Sequence, residues 1–145
     1  MGSTAEAAGG QGTEAARLGY SAGQVVQEFG YGDDVDQDLR ADLEGVLGGE
    51  LVDEDYDDVC DGVIVWWRQD DGDVTDLTDT LVDARTALDD GGTVWLLTPK
   101  AGRGGHVGHS DIEEAATTAG LHATSTLPVG SDWSGTRLGT RGRGR

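Results

Sequence analysis

The sequence is poor in cysteine and lysine, and it has no long apolar run. Its single cysteine, Cys60, excludes a disulfide within the chain. The longest apolar run, residues 63–67 (VIVWW), is far shorter than the ~20 residues that a membrane-spanning helix requires. Residues 1–16 contain neither a basic nor an apolar stretch, which predicts that no secretory signal peptide is present. The length of 145 residues predicts one domain, and we expect a cytoplasmic protein.

Basic residues are scarce relative to acidic ones, and the charge is unevenly distributed. The chain has 10 basic and 28 acidic residues and a formal net charge of −18. Residues 28–90 contain 22 acidic residues and 3 arginines, whereas residues 91–145 contain 4 acidic and 6 basic residues. An acidic surface repels nucleic acid and anionic membranes, so we expect a protein or small-molecule partner. The acid excess is also typical of a solvated surface without a specific role, and the oligomeric state stays open.

Apolar residues recur at helical spacing in three stretches, and the runs between them are typical of β-strands. The helical stretches cover residues 35–47, 74–88 and 112–119, and the strand candidates cover residues 24–29, 50–53, 63–67, 94–97, 123–128 and 135–138. The two runs that are apolar at every position, 63–67 and 94–97, indicate central parallel strands buried on both faces. We expect Asp34 with Gln37 to cap the first helix and Ser110 with Glu113 to cap the third.

This alternation predicts a three-layer, Rossmann-like α/β domain over residues 17–139, with a mostly parallel sheet and a C-terminal antiparallel hairpin. Residues 1–16 and 140–145 lack apolar periodicity and are expected to be disordered tails. Ligands of open α/β sheets bind beyond the carboxyl ends of the strands. The expected ligand-binding rim therefore consists of residues 30–34, 53–55, 68–71 and 100–109.

Five segments resemble an uncharacterised actinobacterial family, domain of unknown function 3052. They are residues 23–28 (GQVVQE), 50–55 (ELVDED), 66–68 (WWR), 95–100 (WLLTPK) and 132–138 (DWSGTRL). The resemblance covers about residues 17 to 139. It implies no established activity.

The chain is similar, more loosely, to the class I methyltransferases that bind S-adenosylmethionine; residues 89–95 and 119–121 resemble two of their later segments. Their first strand ends in an acid followed by Gly-x-Gly-x-Gly, and their second strand ends in an acid that holds the ribose. Here the stretch EFGYGDD keeps the first acid and two glycines, and Asp53 or Glu54 follows Gly32 by 21 or 22 residues. The resemblance implies that Glu28, Gly30 and Gly32 hold the amino-acid end of the cofactor. It assigns the ribose to Asp53 or Glu54.

The sequence departs from the methyltransferase pattern in two places. Asp34 stands where the third glycine belongs, and the interval from Asp53 to Asp61 is too short for the helix and strand that normally intervene. Asp33 and Asp34 also disfavour a nucleotide pyrophosphate at this turn. We therefore expect a reduced relative of the fold, a non-catalytic binding or regulatory protein with no catalytic residue and no cofactor. A minimal methyltransferase or sensor that binds S-adenosylmethionine is the alternative.

A cationic loop interrupts the acidic chain and offers a different ligand site. Lys100, Arg103, His106 and His109 precede the third predicted helix, and Arg68 follows the strand 63–67. Cations beside a helix N-terminus can bind an anion, so a small-anion-binding module or a partner-binding surface is a further hypothesis. The competing interpretation is a mobile loop whose cations pair with the acidic rim.

Other reactive side chains give weaker signals. His106 and His109 supply only two candidate metal ligands, and we predict no metal site. Cys60 has no histidine or lysine near it in sequence, so we expect a packing residue with an unreactive thiol. Trp66 and Trp67 point to opposite faces of their strand. Either both pack in the core, or one reaches the rim beside Arg68.

Overall fold

The computed structural model describes residues 17–140, apart from the side chains of residues 90 and 91. The strands are β1 (Val26–Phe29), β2 (Cys60–Trp66), β3 (Leu88–Pro99), β4 (Leu121–Val129) and β5 (Trp133–Thr140). The helices are α1 (Gln37–Leu47), α2 (Val74–Ala87) and α3 (His109–Thr118), and a short 3-10 helix covers Gln69–Asp71. The tails predicted at residues 1–16 and 140–145 lie outside the described residues, except for Thr140, which is the last residue of β5 and not part of a tail. Within the described part, no helix has the length and apolar character needed to cross a membrane.

The strands form one mixed sheet in the order β1-β2-β3-β5-β4. β1, β2 and β3 pair in parallel, and a single parallel bridge joins Val52 to Gln27 on the outer side of β1. The predicted neighbours are confirmed, since Val63 lies opposite Val94 in β2 and β3. The C-terminal antiparallel hairpin is also present, because β4 pairs with β5. The mostly parallel sheet is not confirmed, because β5 is antiparallel to both β3 and β4.

Helices cover both faces of the sheet, which explains why β2 and β3 are apolar at consecutive positions. Side chains alternate between faces along a strand, so a strand buried on both sides needs two separate cores. Val63 and Val65 belong to the core formed with α2 and α3. Ile64 and Trp66 belong to the core formed with α1. These two cores make the domain a three-layer structure.

The first described residues complete the core on the α1 side. The carbonyl of Leu18 accepts a 2.8 Å hydrogen bond from Trp95 Nε1, and the Tyr20 hydroxyl donates to the Thr93 carbonyl at 2.8 Å. A Cβ at Gly62 would lie 2.2 Å from the Tyr20 ring, so the glycine in β2 makes room for tyrosine. Burial raises the pKa of Tyr20. Leu18 and Tyr20 lie outside the strands and helices predicted from the sequence.

Both predicted helix caps are wrong. Helix α1 begins two residues later than expected, and its N-cap is Asp36, whose Oδ1 accepts from Leu39 N at 3.0 Å. Asp34 is instead bound by an arginine from a distant part of the chain. Helix α3 begins at His109 after Gly108, without a side-chain cap, so Ser110 already lies inside the helix.

Candidate functional site

The carboxyl ends of β1 and β2 border a crevice of about 320 Å³. The chain runs from β1 through α1 to Val52 on the outer side of β1, and then returns to form β2 on the other side. The crevice therefore lies where the strand order reverses, the usual ligand position in open α/β sheets. We call it the switch-point crevice; its lining includes Gly30, Tyr31, Glu54, Trp67, Arg68 and Asp83.

Gly30 forms the turn at the base of the switch-point crevice. Its φ is +79°, and a Cβ there would lie 2.2 Å from the carbonyl oxygen of Trp66. Only glycine fits this close approach of β1 and β2. The Gly30 N–H donates to Glu54 Oε2 at 2.8 Å, and its carbonyl accepts from Arg68 Nη1 at 2.7 Å. Both polar groups of the turn are therefore bonded within the chain.

Arg68 lies across the ends of β1 and β2. Its Nε donates to Asp34 Oδ2 at 2.9 Å, its Nη2 pairs with the other oxygen of Asp34, and its Nη1 lies 3.2 Å from Asp71 Oδ2. A Cβ at Gly32 would be 3.1 Å from Arg68 Nη2, so the guanidinium rests on the second glycine of the turn. These bonds hold the pKa of Asp34 below its usual value. Arg68 is a clamp that joins the two strand ends, with its side chain only 15% exposed.

Glu28 lies below the crevice, in the core on the α1 side, where it forms an ion pair. Its two carboxylate oxygens accept from Arg40 Nε and Nη2 at 2.7 and 2.9 Å, and Oε2 also accepts from Trp66 Nε1 at 2.8 Å. The sequence could have indicated this ion pair, because Arg40 is the only basic residue between Arg17 and Arg68 and so is the one cation near Glu28 in sequence. The resemblance instead assigned Glu28 to a cofactor.

The two acids proposed for a ribose have unequal positions. Glu54 lies at the switch-point crevice and accepts from Gly30, as described above. Asp53 Oδ1 accepts from Asp55 N at 3.0 Å, in a local turn. Buried Gln27, which the sequence analysis missed, donates to the carbonyls of Asp53 and Tyr56 at 2.8 and 3.0 Å. Gln27 thereby anchors the loop that presents Glu54.

The cations of the 100–109 loop do not converge on one ligand position. Lys100 Nζ donates to the Gly130 carbonyl at 3.2 Å, and Arg103 pairs with Asp132. Both contacts tie the loop to the turn between β4 and β5. Arg103 thus pairs with an acid, but Asp132 lies outside the acidic rim that the competing interpretation named.

The two histidines of the loop also have separate local partners. His106 Nδ1 lies 3.0 Å from the carbonyl of Pro99, and His109 Nε2 lies 3.0 Å from Glu113 Oε2. Residues 17–140 contain no group of three or more His, Cys, Asp or Glu side chains arranged to hold a metal ion. An anion- or partner-binding role for these residues and for Arg68 stays a prediction.

Cys60 and the paired tryptophans are internal. Burial, together with the nearby Asp61 and Asp58, raises the pKa of the Cys60 thiol. The thiol lies 3.7 Å from the side-chain oxygen of Gln27 and from the Asp58 carbonyl. Trp66 and Trp67 are both buried, at 0% and 8% exposure, so both pack in the core.

The chain belongs to the family described as Protein of unknown function (DUF3052), whose model matches residues 15–142. An uncharacterised protein of Mycobacterium tuberculosis (strain H37Rv) is 48% identical over 137 residues, which is 94% of this chain and 84% of that protein. The predicted family is therefore confirmed.

Solved methyltransferases share the fold. The mitomycin 7-O-methyltransferase MmcR superposes with a TM-score of 0.64 at 16% identity. The match covers 90% of this chain and 54% of the MmcR chain. The O-methyltransferase NcsB1 of neocarzinostatin biosynthesis, in complex with S-adenosyl-L-homocysteine, superposes with a TM-score of 0.63 at 14% identity. The match covers 81% of this chain and 49% of NcsB1. This chain thus spans about half the length of either enzyme. At such identities the likeness concerns the fold.

Proposed function

We propose that this DUF3052 protein is a non-catalytic binding or regulatory domain in which its own side chains occupy the polar groups of the Gly30 turn at the methyltransferase-like crevice. The supporting observation is the set of bonds at Gly30: Glu54 accepts its N–H and Arg68 donates to its carbonyl. Gly30 would have to be free to hold the amino-acid end of an adenosyl cofactor, and Glu54 would have to be free to hold its ribose. In this chain they stabilise the junction of β1 and β2.

The energetic consequence for a cofactor is large. A ligand that takes over the Gly30 turn must first break two charge-assisted hydrogen bonds, each worth about 1.5 kcal/mol. Together they would weaken binding by about 3 kcal/mol, or roughly a hundredfold in Kd. Glu28 is also unavailable, because its release would leave Arg40 without its counter-charge in a largely buried position.

Binding of S-adenosylmethionine is the second candidate, and two observations favour it. The fold is that of methyltransferases, one of which was solved with S-adenosyl-L-homocysteine. A crevice of about 320 Å³ remains beside the Gly30 turn, and its carboxylates, Glu54, Asp71 and Asp83, suit a sulfonium cation.

Calorimetric titration with S-adenosylmethionine and S-adenosylhomocysteine separates the two functions. We expect no heat of binding from the wild-type protein at ligand concentrations up to about 1 mM, a level at which even a weak site would be half filled. The variant Arg68→Ala removes the clamp, and Arg137→Ala, on exposed β5 surface, is the matched control. Detectable binding by Arg68→Ala alone would support closure by Arg68. Micromolar binding by the wild-type protein would overturn the proposal in favour of the second candidate.

A further inference from the structure

A second opening of about 470 Å³ continues from the switch-point crevice along β1. We call it the β1 groove. Phe29 and Glu54 line both openings. The groove exists because residues 53–59, which connect Val52 to β2, form no helix or strand that would cover this part of β1. Its apolar lining includes Phe29, Val59 and Ala87.

Exposed apolar side chains gather around these two openings. Among the residues that the structure describes, the large hydrophobic side chains left exposed are Tyr31, Val59 and Val82, at 54%, 55% and 41%. Tyr31 lines the switch-point crevice and Val59 lines the β1 groove. Val82 lies one helical turn before Thr86, another lining residue of the groove. Tyr31 and Val59 therefore add exposed apolar surface at the two openings, where a bound molecule could cover it.

The walls of the β1 groove are negatively charged. Four carboxylates line it, those of Glu54, Asp57, Asp58 and Asp83, and its lining includes no basic residue. Asp58 bonds the neighbouring backbone N–H of Val59, whereas the carboxylates of Asp57 and Asp83 accept no hydrogen bond and join no ion pair within residues 17–140. A ligand that fits this groove is therefore cationic and also presents apolar surface.

We propose that the β1 groove binds a short basic segment of a protein partner, in which apolar side chains alternate with lysine or arginine. The apolar side chains would cover Phe29 and Val59, and the cations would pair with Asp57 and Asp83. A volume of about 470 Å³ accommodates a few side chains and excludes a folded domain as the inserted part. This inference rests on the proposed function, because it names the kind of partner that a binding domain of this shape selects.

Fluorescence anisotropy with a labelled peptide that alternates Lys or Arg with Leu or Val tests the proposal. One control peptide replaces every Leu and Val by Ser, and a second replaces every Lys and Arg by Glu. The protein variant is Asp57→Asn/Asp83→Asn, and its matched control is Asp33→Asn/Glu114→Gln, which removes the same two charges from exposed positions outside the groove. Spermidine competition measures binding of a simple polycation.

We expect the basic apolar peptide to bind the wild-type protein and the Asp33/Glu114 control equally. Loss of two exposed ion pairs should weaken binding to Asp57→Asn/Asp83→Asn roughly tenfold. The proposal is overturned if the two variants bind alike, if the Ser peptide or spermidine binds as tightly as the apolar peptide, or if no peptide binds below about 1 mM. These failures leave the proposed function intact, which only the adenosyl titration can overturn.

Discussion

Replacing Glu28 by glutamine tests whether this acid is structural or is held ready for a ligand. The substitution keeps the shape of the side chain, and an amide oxygen can still accept from Trp66 Nε1. It removes the charge that faces Arg40, whose side chain is only 22% exposed and whose other bonded partner is Gln37 Oε1 at 3.0 Å. We expect Glu28→Gln to leave Arg40, in a partly buried position, with Glu44 as its remaining nearby carboxylate and with no directly bonded counter-charge.

The magnitude follows from the burial of the pair. Removal of one partner of a fully buried ion pair costs about 3–5 kcal/mol. Because water reaches part of the Arg40 side chain, we expect a smaller loss of about 2 kcal/mol in the free energy of unfolding. In urea, with a slope of about 1–3 kcal/mol per molar, the unfolding midpoint should fall by roughly 1 M. The emission of the four tryptophans reports the transition, since Trp66 contacts Glu28 directly.

Two further variants decide the interpretation. The control Glu114→Gln makes the same charge change at an exposed position and should stay within about 0.5 kcal/mol of the wild type. In Glu28→Gln/Arg40→Met both charges are gone, so the double variant should be more stable than the sum of the single changes by about 1 kcal/mol or more. Wild-type stability in Glu28→Gln, or simple additivity, would refute the reasoning and return Glu28 to the set of ligand-binding candidates.

Three other predictions concern titratable groups. The pKa of Asp34 is lowered by Arg68, so its contribution to stability is present above pH 3.8 and is lost as the pH falls through the lower value. Urea midpoints measured below about pH 4 should therefore decline less steeply in Asp34→Asn than in the wild type, and parallel curves would contradict this. The pKa of Tyr20 is raised above 10.0, so its neutral form stabilises the fold up to that pH and the benefit is lost at higher pH. Tyr20→Phe should cost about 1 kcal/mol at pH 7 through the lost bond to Thr93, and this difference in stability should shrink above pH 10. A difference that stays constant above pH 10 would show that the hydroxyl is exposed to solvent. The buried Cys60 thiol, with its raised pKa, should react with a thiol reagent only at urea concentrations that unfold the protein, and rapid labelling of the native protein would count against its burial.

The core strands were predictable because they are apolar at consecutive positions, and a strand with that pattern must be buried on both faces. Ile64 and Val65 point to opposite faces, so a strand with both needs apolar cover on both sides. The structure provides this cover from α1 on one face and from α2 and α3 on the other. The mixture of parallel and antiparallel strands was harder to predict, because strand direction depends on the path of the chain and not on the composition of a strand.

The errors at the helix starts have a different cause. Asp34 and Asp36 are both good N-cap residues, and local rules do not choose between them. The choice depends on Arg68, which is distant in sequence and binds Asp34. At α3 the chain begins the helix after Gly108, so the Ser110 hydroxyl lies too far along to cap it. In both cases a contact or backbone path outside the local window decides the boundary.

The candidate site was predicted in position but not in bonding. Gly30, Glu54 and Arg68 were each expected at the rim, and they do meet at the switch-point crevice. Sequence reasoning treated them as free to bind a ligand, whereas they bond to one another. Such mutual pairing depends on side-chain distances across neighbouring strands, for which spacing along the chain gives no measure.

The position of Tyr20 and Thr140 in the sheet has a practical consequence for work with this protein. Tyr20 bonds Thr93, which pairs with Gly62 near the start of β2, and Thr140 pairs with Leu121 at the start of β4. Both boundaries of the described part therefore lie at the end of the sheet opposite Gly30. A fluorophore or a sensor-chip linker attached to an exposed side chain near Tyr20, such as Ser21, starts from the side of the sheet opposite Gly30 and leaves the switch-point crevice accessible to an added ligand.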